Sequence, residues 1–214
     1  MGLMCGCPLG AHLDDLPIPA CEESIGQIQK VIIQRIFKTG TTKNSIATPG
    51  VLASWTPLLS AADGSKVIVS PYIMGPTSEA GAAKTFGGGN NTLGGIEMIV
   101  GRDPSTFTCN MYNQKQSVIA ILKKYMCENV GVFLIDDAGR IGGLADDLTT
   151  PTKYFPIPIG KFFVGDKKAG GFEEPDANVM SWDFYPNWSD KFTLVTPTDF
   201  NPLTDLANAT SVGA

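Results

Sequence analysis

Apolar residues in this chain come in short bursts, and that pattern narrows its fold more than anything else. QKVIIQRIF (29–37), KVIVSPYI (66–73), IEMIV (96–100), VFLI (132–135), KFFV (161–164), NVMSWDF (178–184) and KFTLV (191–195) are rich in β-branched and aromatic residues. Turn formers separate them, with 24 glycines and 15 prolines among 214 residues. Such punctuation argues against a mostly helical bundle and reads as strands. One stretch keeps helical spacing. Val118, Ile121, Leu122 and Tyr125 share a face between Gln114 and Glu128, widened by Ile119 and Met126. Asn113 reads as its N-cap with Gln116 three residues on, and Lys123 and Lys124 suit its C-terminal dipole. Strands run before and after this helix instead of alternating with it. The expected fold is therefore mainly β, an antiparallel β-sandwich or barrel with one flanking α-helix over 114–128.

Residues 1–24 read as an extended arm, 25–196 as a single β domain and 197–214 as a tail. Inside the domain, VFLI and IGGL flank the turn DDAGR and predict a hairpin. Trp55 in the Val51–Leu59 run is expected to pack on the core, and residues 145–160 to form a polar connection. Gly75–Gly95 holds seven glycines in 21 residues, and Phe86 and Leu93 are its large apolar members. It reads as a long loop that orders against a neighbour. Gly87-Gly88-Gly89 is no phosphate cradle, because Lys84 precedes the glycines and the GxxxxGK[ST] pattern is missing.

The formal charge of −5 argues against a protein that grips phosphates. Charged residues make up 17% of the chain, which fits a surface largely covered by other subunits. The five cysteines (Cys5, Cys7, Cys21, Cys109, Cys127) match no disulfide framework and read as free thiols, Cys127 as a small buried hydrophobe. Cys5, Cys7, His12 and Cys21 lack the spacing of zinc modules. His12 is the one imidazole, so a Ser or Cys nucleophile lacks a base in the expected core, and no GxSxG elbow is present. The acidic pairs Asp14/Asp15, Glu22/Glu23, Asp136/Asp137, Asp146/Asp147 and Glu173/Glu174 read as solvated turns, not as a glycosidase pair. No enzymatic activity, cofactor or metal is expected. The first residues offer no apolar run for a signal peptide, and no apolar stretch of membrane-spanning length occurs.

Two segments, CEESIGQIQKVIIQR (21–35) and GGFEEPDANVMSWDFYPNWSDKFTLVTPTDFNPLTDL (170–206), resemble the tail tube (major tail) proteins of long-tailed bacteriophages. So does the order of strands, Gly-rich excursion, helix and hairpin. The resemblance implies a virion structural protein made in the host cytoplasm. It would form hexameric rings, stacked into a tube through which DNA passes without specific binding. Tape measure, terminator and baseplate proteins would be its partners. The 75–95 segment would reach an adjacent ring, and Phe86, Leu93, Phe200 and Leu203 would make inter-subunit contacts. Asp136, Asp137, Glu173 and Glu174 would supply negative charge to the lumen or surface, repelling phosphates so that DNA slides. The Cys-, Gly- and Pro-rich first 20 residues depart from what that fold requires. A tail terminator or head–tail protein shares this physics. The reading from a different class is a β-sandwich module binding carbohydrate or a receptor, with Trp182, Tyr185 and Trp188 as a stacking platform.

Overall fold

The computed structural model describes residues 24–91 and 93–208. Fourteen strands and two α-helices follow in chain order. They are β1 (Ile28–Arg35), β2 (Phe37–Thr39), β3 (Thr42–Lys43), α1 (Leu52–Leu59), β4 (Val67–Val69), β5 (Met74–Glu79), β6 (Ala83–Gly87), β7 (Glu97–Arg102) and β8 (Ser105–Tyr112). Then come α2 (Gln116–Lys124), β9 (Val130–Asp136), β10 (Ile141–Ala145), β11 (Tyr154–Phe155), β12 (Ile157–Val164), β13 (Ala177–Phe184) and β14 (Phe192–Val195). The fold is mainly β and antiparallel, as the sequence reading expects.

Ten strands join in one ladder that bends into two packed sheets and does not close into a barrel. The first sheet holds β9, flanked by β1 on one edge and by β10 and β12 on the other; β4 extends it past β1. The second runs β12-β13-β8-β5. Strand β12 makes the corner. Ile157 and Pro158 pair with β9, whereas Ile159 onward pairs with β13. A bulge at Lys161, in the left-handed region at φ 50°, re-aims the strand between the sheets.

Alternation along these strands fills two cores. Val31 and Ile33 of β1, Val132 and Leu134 of β9, Phe107, Cys109 and Met111 of β8, and Met180, Trp182 and Phe184 of β13 meet between the sheets. Ile119 and Leu122 of α2 close one end of that core. Ile32, Phe133, Ile135 and Ile141 point the other way, beneath Trp55 and Leu59 of α1 and Leu206. The first sheet is thus buried on both faces and forms the middle of three layers. The C-terminal segment belongs to the outer layer. Asp199 accepts from the Leu52 amide at the start of α1 (3.0 Å), and Thr198 N–H donates to Gly50 (2.9 Å).

Four sequence expectations are corrected. The described residues form two α-helices, not one. α1 forms despite Pro57, because Trp55 is sunk into the core with its indole N–H on the Pro49 carbonyl (2.8 Å). α2 starts at Gln116 with Lys115 as N-cap and ends at Lys124, followed by a 3-10 turn over Tyr125–Cys127. Asn113 is no cap; it sits at φ 53° in the turn that leaves β8. The 75–95 segment is not one loop, since β5 and β6 lie within it. Nor is 145–160 a plain connection, since β11 and the start of β12 occupy its second half.

Candidate assembly surface

Strands β5 and β8 continue as β6 and β7, which pair with each other and, among the described residues, with no other strand. The result is a two-stranded arm growing out of the second sheet. At its base the Asp103 amide donates to the Ala82 carbonyl (2.8 Å), and Lys84 Nζ pairs with Asp103 (2.7 Å). Gly81 allows the crossing there: a Cβ on it would lie 1.9 Å from the Asp103 carbonyl oxygen. Paired residues such as Phe86↔Met98 and Thr85↔Ile99 then carry the arm outward. At about 3.4 Å per residue, five paired positions reach roughly 17 Å from the base. Glycines at positive φ, among them Gly88, Gly89, Gly94 and Gly95, turn the tip.

The arm is apolar where a solvent-facing ribbon should be polar. Phe86, Ile96, Met98, Ile99 and Val100 are 46–68% exposed. Cross-strand pairing puts Phe86 beside Met98 on one face, with Ile99 on the other. Both faces therefore present large apolar side chains. A contiguous exposed apolar patch on a folded chain marks a contact surface.

Next to the arm lies the outer face of the second sheet. Register aligns Thr106 with Asp183, Thr108 with Ser181 and Asn110 with Val179, and β5 adds Thr77 and Glu79. The face carries hydroxyls alongside the exposed Met74, Phe163 and Val179. Its Asp183 carboxylate accepts from Thr106 Oγ1 (2.9 Å) and pairs with Lys161 Nζ (2.8 Å). Burial pushes this carboxyl upward, but the Lys161 and Thr106 hydrogen bonds outweigh that and hold it below its ordinary value. Strand β5 ends the ladder.

Phe86 sits on the exposed arm, and the side chain of Leu93 lies outside the described residues. Phe200 and Leu203 are half-buried against the chain's own second core. Asp137, Glu173 and Glu174 are exposed. Asp136 is not a surface charge. It is fully buried and bound by Arg140 through Nε (2.8 Å), a guanidinium nitrogen (2.6 Å) and the backbone N–H (2.8 Å). This clasp closes the β9–β10 turn. Cys5, Cys7, His12 and Cys21 lie outside the described residues, and among those described no group of three or more His, Cys, Asp or Glu is placed to hold a metal. Burial pushes the Cys109 thiol up to about 12, which keeps it protonated. Cys127 is exposed, not buried as the sequence reading expected. Among the described residues no helix is long and apolar enough to cross a membrane.

The aromatic platform does not form. Trp182 is buried and stacks on Phe107 with centroids 4.3 Å apart, and Trp188 is half-buried on Phe184 at 4.5 Å. Only Tyr185 of the three stays exposed. The sequence reading did not single out Ile96, Met98, Ile99 and Val100, which are exposed. They were visible as an apolar strand, but nothing in the sequence says that both faces of that strand stay uncovered. No family model, curated protein or solved structure matches this chain.

Proposed function

We propose that this chain is a self-assembling structural subunit of the phage tail-tube type, stacking as hexameric rings around a DNA-conducting channel, with no catalytic role. The observation that carries the reading is the arm. A ribbon with apolar side chains on both faces needs another molecule to cover it, and in a homo-oligomer every copy offers the same need. Two further features support it. The unpartnered edge of β5 is available to continue the second sheet into a neighbour. The outer face of that sheet, with its threonines, Ser181, Asn110, Glu79 and the Asp183–Lys161 pair, carries no excess of positive charge among these residues, which fits a channel wall on which phosphates slide. In this reading the tape measure, terminator and baseplate proteins are its further partners.

The test is negative-stain electron microscopy of the concentrated full chain at near-neutral pH, paired with analytical ultracentrifugation over a concentration series. Six-fold rings or tubes with an open channel are the expected result. A chain that stays monomeric at every concentration, with the arm intact by mass spectrometry, overturns the reading.

A further inference from the structure

A groove of about 570 Å³ lies between α2, β4 and the C-terminal segment. Val118 and Ile121 of α2 line one wall, Leu206 the other, and Ile68 lies on β4 between them. The charged members of the lining are Lys30 and Lys66, and no carboxylate is among them. Lys30 Nζ is held by the Leu203 carbonyl (2.6 Å) and sits 4.3 Å from the centre of the Tyr72 ring, so it contributes its charge from a fixed position. Lys66 forms no ion pair among the described residues. The Asn208 side chain takes both the N–H (2.8 Å) and the carbonyl (2.7 Å) of Val69. At that point the groove takes side chains, not another strand.

The β6–β7 arm has the matching chemistry. Beyond Lys84, residues 85–100 carry one charge, that of Glu97. A groove with two apolar walls suits a ribbon that is apolar on both faces, and its lysines suit a ribbon whose charge is negative. The size also fits. Five large side chains about half exposed, at roughly 200 Å² each, present about 500 Å²; covering them with an equal area of a partner buries about 1,000 Å², the threshold for a specific contact. The arm cannot reach the groove of its own chain. It leaves the second sheet at the Ser105 end of β8, whereas α2 follows the Tyr112 end. Those ends lie about 24 Å apart at 3.4 Å per residue, and the arm extends roughly 17 Å. We propose that the groove receives the arm of a second copy, Phe86 and Met98 against one wall and Ile99 against the other. Arm and groove are different surfaces at opposite ends of β8, so the contact is heterologous and copies add head to tail. The proposal rests on the reading of the arm as an assembly surface and names the surface that receives it.

The test uses the full chain with p-benzoylphenylalanine in place of Phe86, an exposed aromatic position on the arm. Isotope-labelled and unlabelled chains are mixed over a concentration series followed by sedimentation, then irradiated. The expected products carry both isotopes and join position 86 to residues 66–71, 118–125 or 204–208. Products between copies that map elsewhere overturn the proposal and leave assembly through the arm standing. A chain that never associates, or that crosslinks only within itself, overturns both. Ile121→Asp supplies a second readout that needs no probe. Ile121 is 47% exposed, so the fold should tolerate the change, which an unchanged urea midpoint verifies. A carboxylate there replaces an apolar contact and faces Glu97, and should weaken association by at least about tenfold. Leu148→Asp, at an exposed site outside the groove, should leave association unchanged. An Ile121→Asp chain that associates as tightly as the unaltered one overturns the proposal.

Discussion

Strands β9 and β7 are built from similar residues and meet opposite fates. VGVFLID is buried at every position, while EMIVGR has five exposed residues and one half-buried. Hydrophobicity does not separate them; neighbours do. β9 is paired along one edge by β1 and along the other by β10 and β12. Its two faces meet the second sheet on one side and α1 with the C-terminal segment on the other. β7 has β6 on one edge and, among the described residues, no layer on either face. An apolar strand becomes core only where the chain supplies two layers over it. Where the described residues supply none, the same strand stays exposed.

Truncating an aromatic in each region should expose that difference most strongly. Phe133 on β9 is 1% exposed and meets Trp55 edge-on at 5.3 Å and 86°. The space around it is closed, because a Cβ on Gly143 would come within 2.8 Å of its ring. Phe133→Ala therefore removes buried area and leaves a cavity, at a cost of about 3–5 kcal/mol in urea unfolding. Phe86→Ala, at an exposed arm position, should stay within about 0.5 kcal/mol. Similar losses at the two sites would mean that the arm is already covered in the monomer.

The same contrast explains what could be read from the sequence. β1, the β9–β10 hairpin, β13 and β14 were legible, because buried β-branched runs ended by strong turn residues leave a local signal. β8 was open to reading and went unassigned. Its inward residues Phe107, Cys109 and Met111 alternate strictly with Thr106, Thr108 and Asn110, but produce no hydropathy peak. α1 was hidden by Pro57, which deprives the Ala53 carbonyl of its helical donor; a tertiary contact, the burial of Trp55, compensates. Asp136 was misread as a surface charge because its partner Arg140 shows only after the turn has closed. The β6 half of the arm read as part of a glycine-rich loop, because Ala83–Gly87 has no alternation of apolar and polar residues, whereas the β7 half read as a strand.

Acid offers a second, smaller way to set body against arm. The Asp63 carboxyl is lowered to about 2, first by the Ser65 hydroxyl, then by the Ser65 amide and Lys38. Arg35 holds Glu128 below its ordinary value through a bidentate pair at 2.5 and 2.8 Å. Asp183 is lowered as well. Each is more acidic folded than unfolded. The stability each supplies is fully present above the ordinary carboxylate value and is lost as pH falls through the folded one. Calorimetry should therefore give a Tm nearly flat from pH 7 to 5 and falling between about pH 4 and 2. All three groups belong to the body. A Tm that holds to pH 2 would show that these contacts contribute nothing to it.

The smallest effect on stability should accompany the largest effect on assembly. Ile99 lies on the arm, opposite Thr85, and is 48% exposed among the described residues. Ile99→Asp places a charge where water already is, so unfolding of the monomer should change by no more than about 0.5 kcal/mol. Between copies the situation reverses. Burying an isoleucine is worth about 1.5–3 kcal/mol, and burying an unpaired carboxylate costs more than that gain. If copies pack through the arm as proposed, the penalty recurs at every contact between them, so a change invisible to urea should abolish any assembly that sedimentation and electron microscopy detect for the unaltered chain. Ile135→Asp on β9 is the matching control, because that side chain is fully buried and its layer belongs to the chain itself. It should fail at the level of the fold. If Ile99→Asp destabilises the monomer as severely, the arm is part of the body, and the distinction between the two strands is wrong.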